Sequence, residues 1–337
     1  MASVVIPSNA TEAPSLPSLK ASHEQTYNDW RDDFYRDGYV VIKGAITSSR
    51  ALEYKTKAMD WLKSFGLGLD YDDPTTWNDK HLPFSVKGGM YGKHCAAHEK
   101  YMWDARVEPG VMEPFERIWG TDKLLVSFDA INITLPGRKD INWSPWPHVD
   151  QSPERKGLSC VQGILNYSRA GPDDGGLLLM KGSAALFDNE IFQEFSPERP
   201  KDCPVKHYDF FTFSKEHVAW FESKGCELIK VCAEPGDLIL WDSRSLHYAE
   251  FPRNKNIRVI QYVSYAPAAL ATHDDLKKKA DIFRKFEGTT HWPHCNIWSN
   301  GKHTINGEID PLERDQPLEL PIISQKLLQL AGVEPYD

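Results

Sequence analysis

Paired cysteines are what this 337-residue chain lacks first: six are present (Cys95, Cys160, Cys203, Cys226, Cys232, Cys295), scattered and with no C-x-x-C. That spacing excludes a zinc finger and a disulfide framework, and it reads as reduced thiols in a cytoplasmic protein. No run approaches the 18 to 20 apolar residues that cross a bilayer, and the first residues lack the charged and apolar regions of a signal peptide, so no membrane partner is expected. Long basic runs are missing too. Apart from Lys277-Lys278-Lys279, nothing offers the clustered cations that nucleic-acid phosphates need, and the net charge is −9. The glycines at Lys87-Gly88-Gly89-Met90-Tyr91-Gly92 do not spell a phosphate loop, because G-x-x-x-x-G-K-[ST] is absent.

What is present is an ordinary globular composition, 41% hydrophobic and 26% charged, enough for one sizeable core. Residues 1–21, rich in Ser, Pro and Ala, read as a disordered tail. Ser22 with Gln25 forms a capping box for a helix carrying Tyr27, Trp30 and Phe34 on one side and stopping at Gly38. A strand over Tyr39-Val40-Val41-Ile42 follows. Thr47 then caps a second helix whose inner face is Leu52, Ala58, Met59, Leu62 and Phe65. Residues 67–109 break into aromatic and Gly-rich pieces that suit a mouth or lid, with one of His94 and His98 lining it or merely facing solvent. After a helix near Pro114 to Trp119, short β-branched and aromatic runs recur at Leu124 to Thr134, Leu158 to Tyr167, Gly176 to Met180, Glu227 to Val231, Asp237 to Trp241 and Ile257 to Tyr265. Strands without alternating helices predict a mainly β antiparallel sandwich or jelly roll with flanking helices. Residues 22–270 form this domain. Residues 271–337 form a helical extension on it, with helices from Thr272 to Phe286 and from Pro321 to Gly332, which either brace the sheet or pack against a second copy in a homodimer.

The chemistry gathers at Trp143-Ser144-Pro145-Trp146-Pro147-His148-Val149-Asp150. In an extended strand residues i and i+2 share a face, so His148 and Asp150 converge on one point. His247 offers a third ligand. Together they make a 2-His-1-carboxylate facial triad, the arrangement that holds non-haem Fe(II) and leaves positions open. Arg258, eleven residues later, falls on a strand and would need a partner if it points inward, because a buried charge is costly alone. A dicarboxylic cosubstrate matches its planar fork. Taken by itself, the plainer reading of Arg258 is a solvent-facing residue or a structural ion pair. His291, His294 and Cys295 resemble part of a zinc site, but a fourth ligand at suitable spacing is missing, and a loop covering the active-site mouth is the alternative reading.

The ordered set His148-Val149-Asp150, Gly175-Gly176-Leu177-Leu178-Leu179-Met180-Lys181-Gly182-Ser183, Gly236-Asp237, His247 and Arg258 resembles the phytanoyl-CoA dioxygenase family, as does the opening Phe34-Tyr35-Arg36-Asp37-Gly38-Tyr39-Val40-Val41. The likeness runs from about residue 25 to 266. It implies a double-stranded β-helix, cupin-like, with Fe(II) held by His148, Asp150 and His247. It also implies 2-oxoglutarate gripped at its far carboxylate by Arg258, with Gln162 contacting the cosubstrate, and O₂ as oxidant. Where family members carry Pro-Gly-Ser-His, this chain has Lys181-Gly182-Ser183-Ala184. Retention of Asp150 speaks against the related halogenases. The implied reaction is hydroxylation, desaturation or cyclisation of a small molecule, with succinate and CO₂ released. Tyr91, Trp103, Trp143 and Trp146 read either as walls for a partly apolar substrate or as core fillers. A non-catalytic ligand-binding jelly roll and a cupin-type metalloenzyme without 2-oxoglutarate are the competing readings.

Overall fold

Alternation of side chains decides the architecture. In the computed structural model, which describes residues 26–152, 155, 157–187 and 209–337, the strands are β1 (Tyr39–Ile42), β2 (Met90–Tyr91), β3 (Leu124–Val126), β4 (Ile131–Thr134), β5 (His148–Val149), β6 (Val161–Asn166), β7 (Gly176–Lys181), β8 (Phe211–Thr212), β9 (Glu227–Lys230), β10 (Leu238–Asp242), β11 (His247–Glu250) and β12 (Arg258–Pro267), with a small hairpin of β13 (Thr304–Ile305) and β14 (Glu308–Ile309). One sheet runs β1-β10-β6-β12-β4-β2, with β3 also on β12, and a second runs β8-β5-β11-β7-β9. The pairings within both sheets are antiparallel. This is the jelly roll expected from the spacing of the strands, flanked by helices and not closed into a barrel.

Along β6, β10 and β12 alternate residues go to two different cores. Ile164, Ile239, Trp241 and Ile260 meet Leu177 and Leu179 of β7 in the layer between the sheets. Val161, Leu165, Leu238, Leu240, Val259, Val263 and Tyr265 face the helices on the other side. Since Gln162, Arg258 and Tyr262 share the parity of Ile164 and Ile260, they too point between the sheets. Beneath the second sheet Val149, Met180, Phe213, Phe221 and Leu246 form a third cluster.

The helices covering the larger sheet are α1 (Trp30–Asp37), α2 (Ser48–Lys63), α3 (Lys100–Arg106) and α4 (Pro109–Trp119), followed by α5 (Ser183–Phe187), α6 (Lys215–Ser223), α7 (His273–Arg284) and α8 (Gln325–Leu330). The helix α1 starts at Asp29, whose side chain accepts from the Arg31 N–H, and ends at Gly38 with φ +81. The proposed box at Ser22 and Gln25 and the whole N-terminal tail, residues 1–21, lie outside the described residues. Thr47 caps α2 as expected, accepting from the Arg50 N–H. Leu52 departs from the expectation: it is 60% exposed, and Ala51, Tyr54, Ala58, Trp61 and Leu62 form the inner face instead. Pro321 does not open the last helix. Ser324 does, accepting from the Leu327 N–H. No described helix is long and apolar enough to cross a membrane.

Candidate active site

Strand register builds the site. His247 of β11 stands directly opposite His148 of β5, and side chains facing each other across an antiparallel pair project to the same side of the sheet. Asp150 follows two residues after His148, its backbone N–H donating to the Ser243 carbonyl. Gln151 secures this turn, its Oε1 accepting from Ser243 Oγ at 2.9 Å and its Nε2 donating to the Gly157 carbonyl at 2.8 Å.

The two imidazoles are fixed in the same way. His148 Nδ1 donates to the Trp146 carbonyl at 2.7 Å, and His247 Nδ1 donates to the Ser245 carbonyl at 2.9 Å. A carbonyl can only accept, so each ring keeps its proton on Nδ1 and turns an Nε2 lone pair inward. These Nε2 atoms lie 3.5 and 3.2 Å from Asp150 oxygens. Ligand atoms of His148, Asp150 and His247 all fall within 4.8 Å of one another, and no other such group of three occurs among the described residues. Burial lowers His148 to about 4, so its imidazole is neutral near pH 7. Burial alone would raise Asp150, but His291, His148 and a hydrogen bond to His247 hold its carboxyl well below the usual range. Trp146 stacks on His148 with ring centroids 3.9 Å apart, and Trp241 meets His247 edge-on at 5.5 Å.

A cavity of about 450 Å³ opens over these residues and is lined also by Gln162, Arg258, Trp143 and Trp146. Gln162 Nε2 donates to Asp150 Oδ2 at 2.9 Å. Arg258 is 4% exposed, and its Nε finds no hydrogen-bond partner among the described residues. The solvent-facing alternative is thus overturned, and the Arg258 Nε makes no structural ion pair among the described residues. Gly176, at φ +98, clears its flank: a Cβ there would sit 2.8 Å from the guanidinium.

Several expectations need correction. His94 and His98 do not line the mouth or face solvent. Positive φ at His94 and Cys95 prevents one helix from carrying both. His94 is buried 3.3 Å from Glu313, and His98 Nε2 donates to the Glu287 carbonyl while its Nδ1 accepts from Trp103 Nε1. Tyr91 and Trp103 are core, packed on Trp61 and on Phe128 and Phe283 respectively. His291, His294 and Cys295 do not converge. His294 contacts Cys295 Sγ, whereas His291 belongs to the cavity wall. The loop over 84–93 does form the mouth, bringing Lys87 Nζ to 4.1 Å above the Trp146 ring. Asp129 was missed as a wall residue, since it has no periodic partner in the sequence. Of the two readings of the His291 segment, the loop over the mouth agrees with the place of Thr289, Thr290 and His291 in the cavity wall.

Comparison with known proteins places this geometry. No family model matches the chain. The Ava biosynthesis cluster protein O of Aspergillus versicolor is 44% identical over 295 residues, covering 85% of this chain and 96% of that protein. Among solved structures, GlcNAc Inducible Gene 2 (GIG2) of Candida albicans superposes with a TM-score of 0.58 at 14% identity, over 91% of this chain and 76% of that one. EctD from S. alaskensis in its apoform gives 0.50 at 13% identity, over 73% and 80%. At such identities the two structures speak for the fold alone.

Proposed function

The chain belongs to the family of the Ava biosynthesis cluster protein O, and from that premise and the cavity we propose that it is a non-haem Fe(II)- and 2-oxoglutarate-dependent oxygenase acting on a small molecule of specialised biosynthesis. The observation that carries this reading is the pair of inward Nε2 atoms flanking Asp150, each locked by a backbone carbonyl. Two imidazoles and a carboxylate match the facial set that suits Fe(II) while leaving other positions open.

The residues fit the cosubstrate as well. A buried guanidinium without a counter-charge is costly, and a dicarboxylate reaching it would supply a bidentate partner. Gly176 leaves the space. A cupin-type metalloenzyme without 2-oxoglutarate would leave Arg258 with no purpose.

When bound, Fe(II) with 2-oxoglutarate supplies O₂-driven oxidation of a C–H bond, releasing succinate and CO₂. The protein's own residues do the rest. His148, Asp150 and His247 would hold the metal, and Gln162, donating to Asp150 Oδ2, orients that carboxylate and would contact the cosubstrate. Arg258 fixes the far end of the keto acid, and Trp146 and Trp241 keep water from the two imidazoles. Trp143 and Trp146 offer apolar walls to the substrate. Residues 271–337 serve the same domain, since Thr289 and His291 complete the cavity.

Anaerobic addition of Fe(II) and 2-oxoglutarate should give a weak visible charge-transfer band that His148→Ala abolishes. Absence of the band in the native protein, with no succinate formed under air, would overturn the proposal.

A further inference from the structure

The cavity has a second polar end that neither the metal nor the keto acid uses. Asp129 precedes β4, and its Oδ1 accepts from the Ala130 N–H at 2.7 Å. Its carboxylate lines the cavity. Burial raises this carboxyl to about 6, offset in part by His291. His291, from the segment after α7, lines the same cavity, and its buried Nε2 has no hydrogen-bond partner among the described residues. Asp129, from the loop before β4, and His291, from the segment after α7, thus border one cavity.

Register separates this end from the cosubstrate end. Thr134 of β4 pairs with Arg258, while Asp129 lies before the opposite end of that strand. Trp143, Trp146 and Phe251 supply apolar surface elsewhere in the wall. A carboxylate and a buried, unsatisfied imidazole nitrogen lining one cavity are costly when it is empty and can be satisfied by a ligand's O–H or N–H.

We propose that Asp129 and His291 form a substrate-anchoring pair, holding a hydroxyl or N–H of an otherwise apolar, ring-bearing molecule and so choosing which part of it faces His148, Asp150 and His247. The anchoring stands on the cavity itself; its consequence for the site of oxidation rests on the oxygenase reading. A site built to hydrogen-bond a substrate donor rejects the analogue that lacks it, because its own polar groups are left unpaired.

The test uses the full chain and three probes: benzyl alcohol, benzylamine and benzyl methyl ether, which shares the ring but donates no hydrogen bond. Dissociation constants are measured by saturation-transfer NMR titration in metal-free protein, and again with Fe(II) and 2-oxoglutarate under nitrogen. The native protein should bind the alcohol or the amine about tenfold more tightly than the ether. That preference should fall to near unity in Asp129→Ala and His291→Ala, with ether affinity little changed. Preference for the alcohol identifies a hydroxyl as the anchored group, and preference for the amine identifies an N–H. Asp129→Asn, which keeps an oxygen for the Ala130 N–H, serves where the alanine variant fails to fold. Equal binding of all three probes by the native protein, binding of none, or a preference that survives the substitutions would overturn the proposal. Because the metal-free preference does not depend on the charge-transfer band, loss of either result is read separately.

Discussion

Arg258 is a cation that the described residues leave unanswered, and its burial pulls its pKa down from the ordinary guanidinium value. Function and stability should therefore part company here. Arg258→Met is expected to raise the thermal midpoint of the protein without ligands, since a desolvated charge is replaced by a well-packed apolar chain. The same change should weaken 2-oxoglutarate by about 10- to 100-fold, the loss of a charge-assisted pair worth about 1.5–3 kcal/mol. Titrating the charge-transfer band and scanning melting with and without 2-oxoglutarate checks both halves. Gly176→Ala should weaken the keto acid too, because its methyl would press on the guanidinium at a φ that disfavours any side chain. At this scale the sequence was readable in the i, i+2 spacing of His148 and Asp150, while Arg258 was placed inward by the family resemblance and not by its own strand. Asp129 was not readable, since only tertiary packing brings it to the cavity. His94 and His98 misled because their aromatic and Gly-rich surroundings suggested a mouth, whereas both rings are buried.

Elements depend on contacts that composition does not announce. The first turn of α4 presses on the loop before α2, and a Cβ at Gly110 would run into the Ala45 carbonyl oxygen. Gly110→Ala should cost about 1–3 kcal/mol through this overpacking, despite alanine's better helix propensity, and a urea titration measures it. Thr272 and Asp275 form a reciprocal capping box on α7, so Thr272→Ala should cost about 1 kcal/mol in the same titration. Long periodic elements such as α2, β6 and β12 were legible in advance. The strands β5 and β8, two residues each, carry no period to detect. The start of α8 was misread because Pro321 is a conventional opener, while the hydrogen-bonding oxygen belongs to Ser324.

Across the whole molecule, four buried histidines among the described residues, His94, His98, His148 and His294, are lowered by burial and set the response to acid. Burial lowers His98 and His294 to about 3 and His148 to about 4. The unfolded chain, with histidines near 6.5, binds more protons than the folded chain from about pH 6.5 down to those values. Stability therefore falls on acidification through that window. His98, His148 and His294 each contribute on the order of 1 kcal/mol at pH 5.5. Asp129 and Glu99, raised by burial, act in the opposite sense, but they are two against four. Urea midpoints should be lower at pH 5.5 than at pH 7.5 in metal-free protein; an unchanged or higher midpoint at pH 5.5 would contradict the balance. Fold class was legible at this scale because it needs only strand spacing and the lack of intervening helices, whereas the cavity wall draws on residues 289–291 from beyond the sheets.

The pairing of His148 with His247 leaves the length of chain between them unconstrained. Their meeting is fixed by which face of the strand each residue occupies, so connecting loops can grow, shrink or be exchanged without disturbing the triad. A single residue gained between His148 and Asp150, by contrast, would turn the carboxylate away from the imidazole and leave a folded protein without its three convergent side chains. What descent has to preserve at this centre is an odd-or-even count along two short strands, while the distance between them is free to drift.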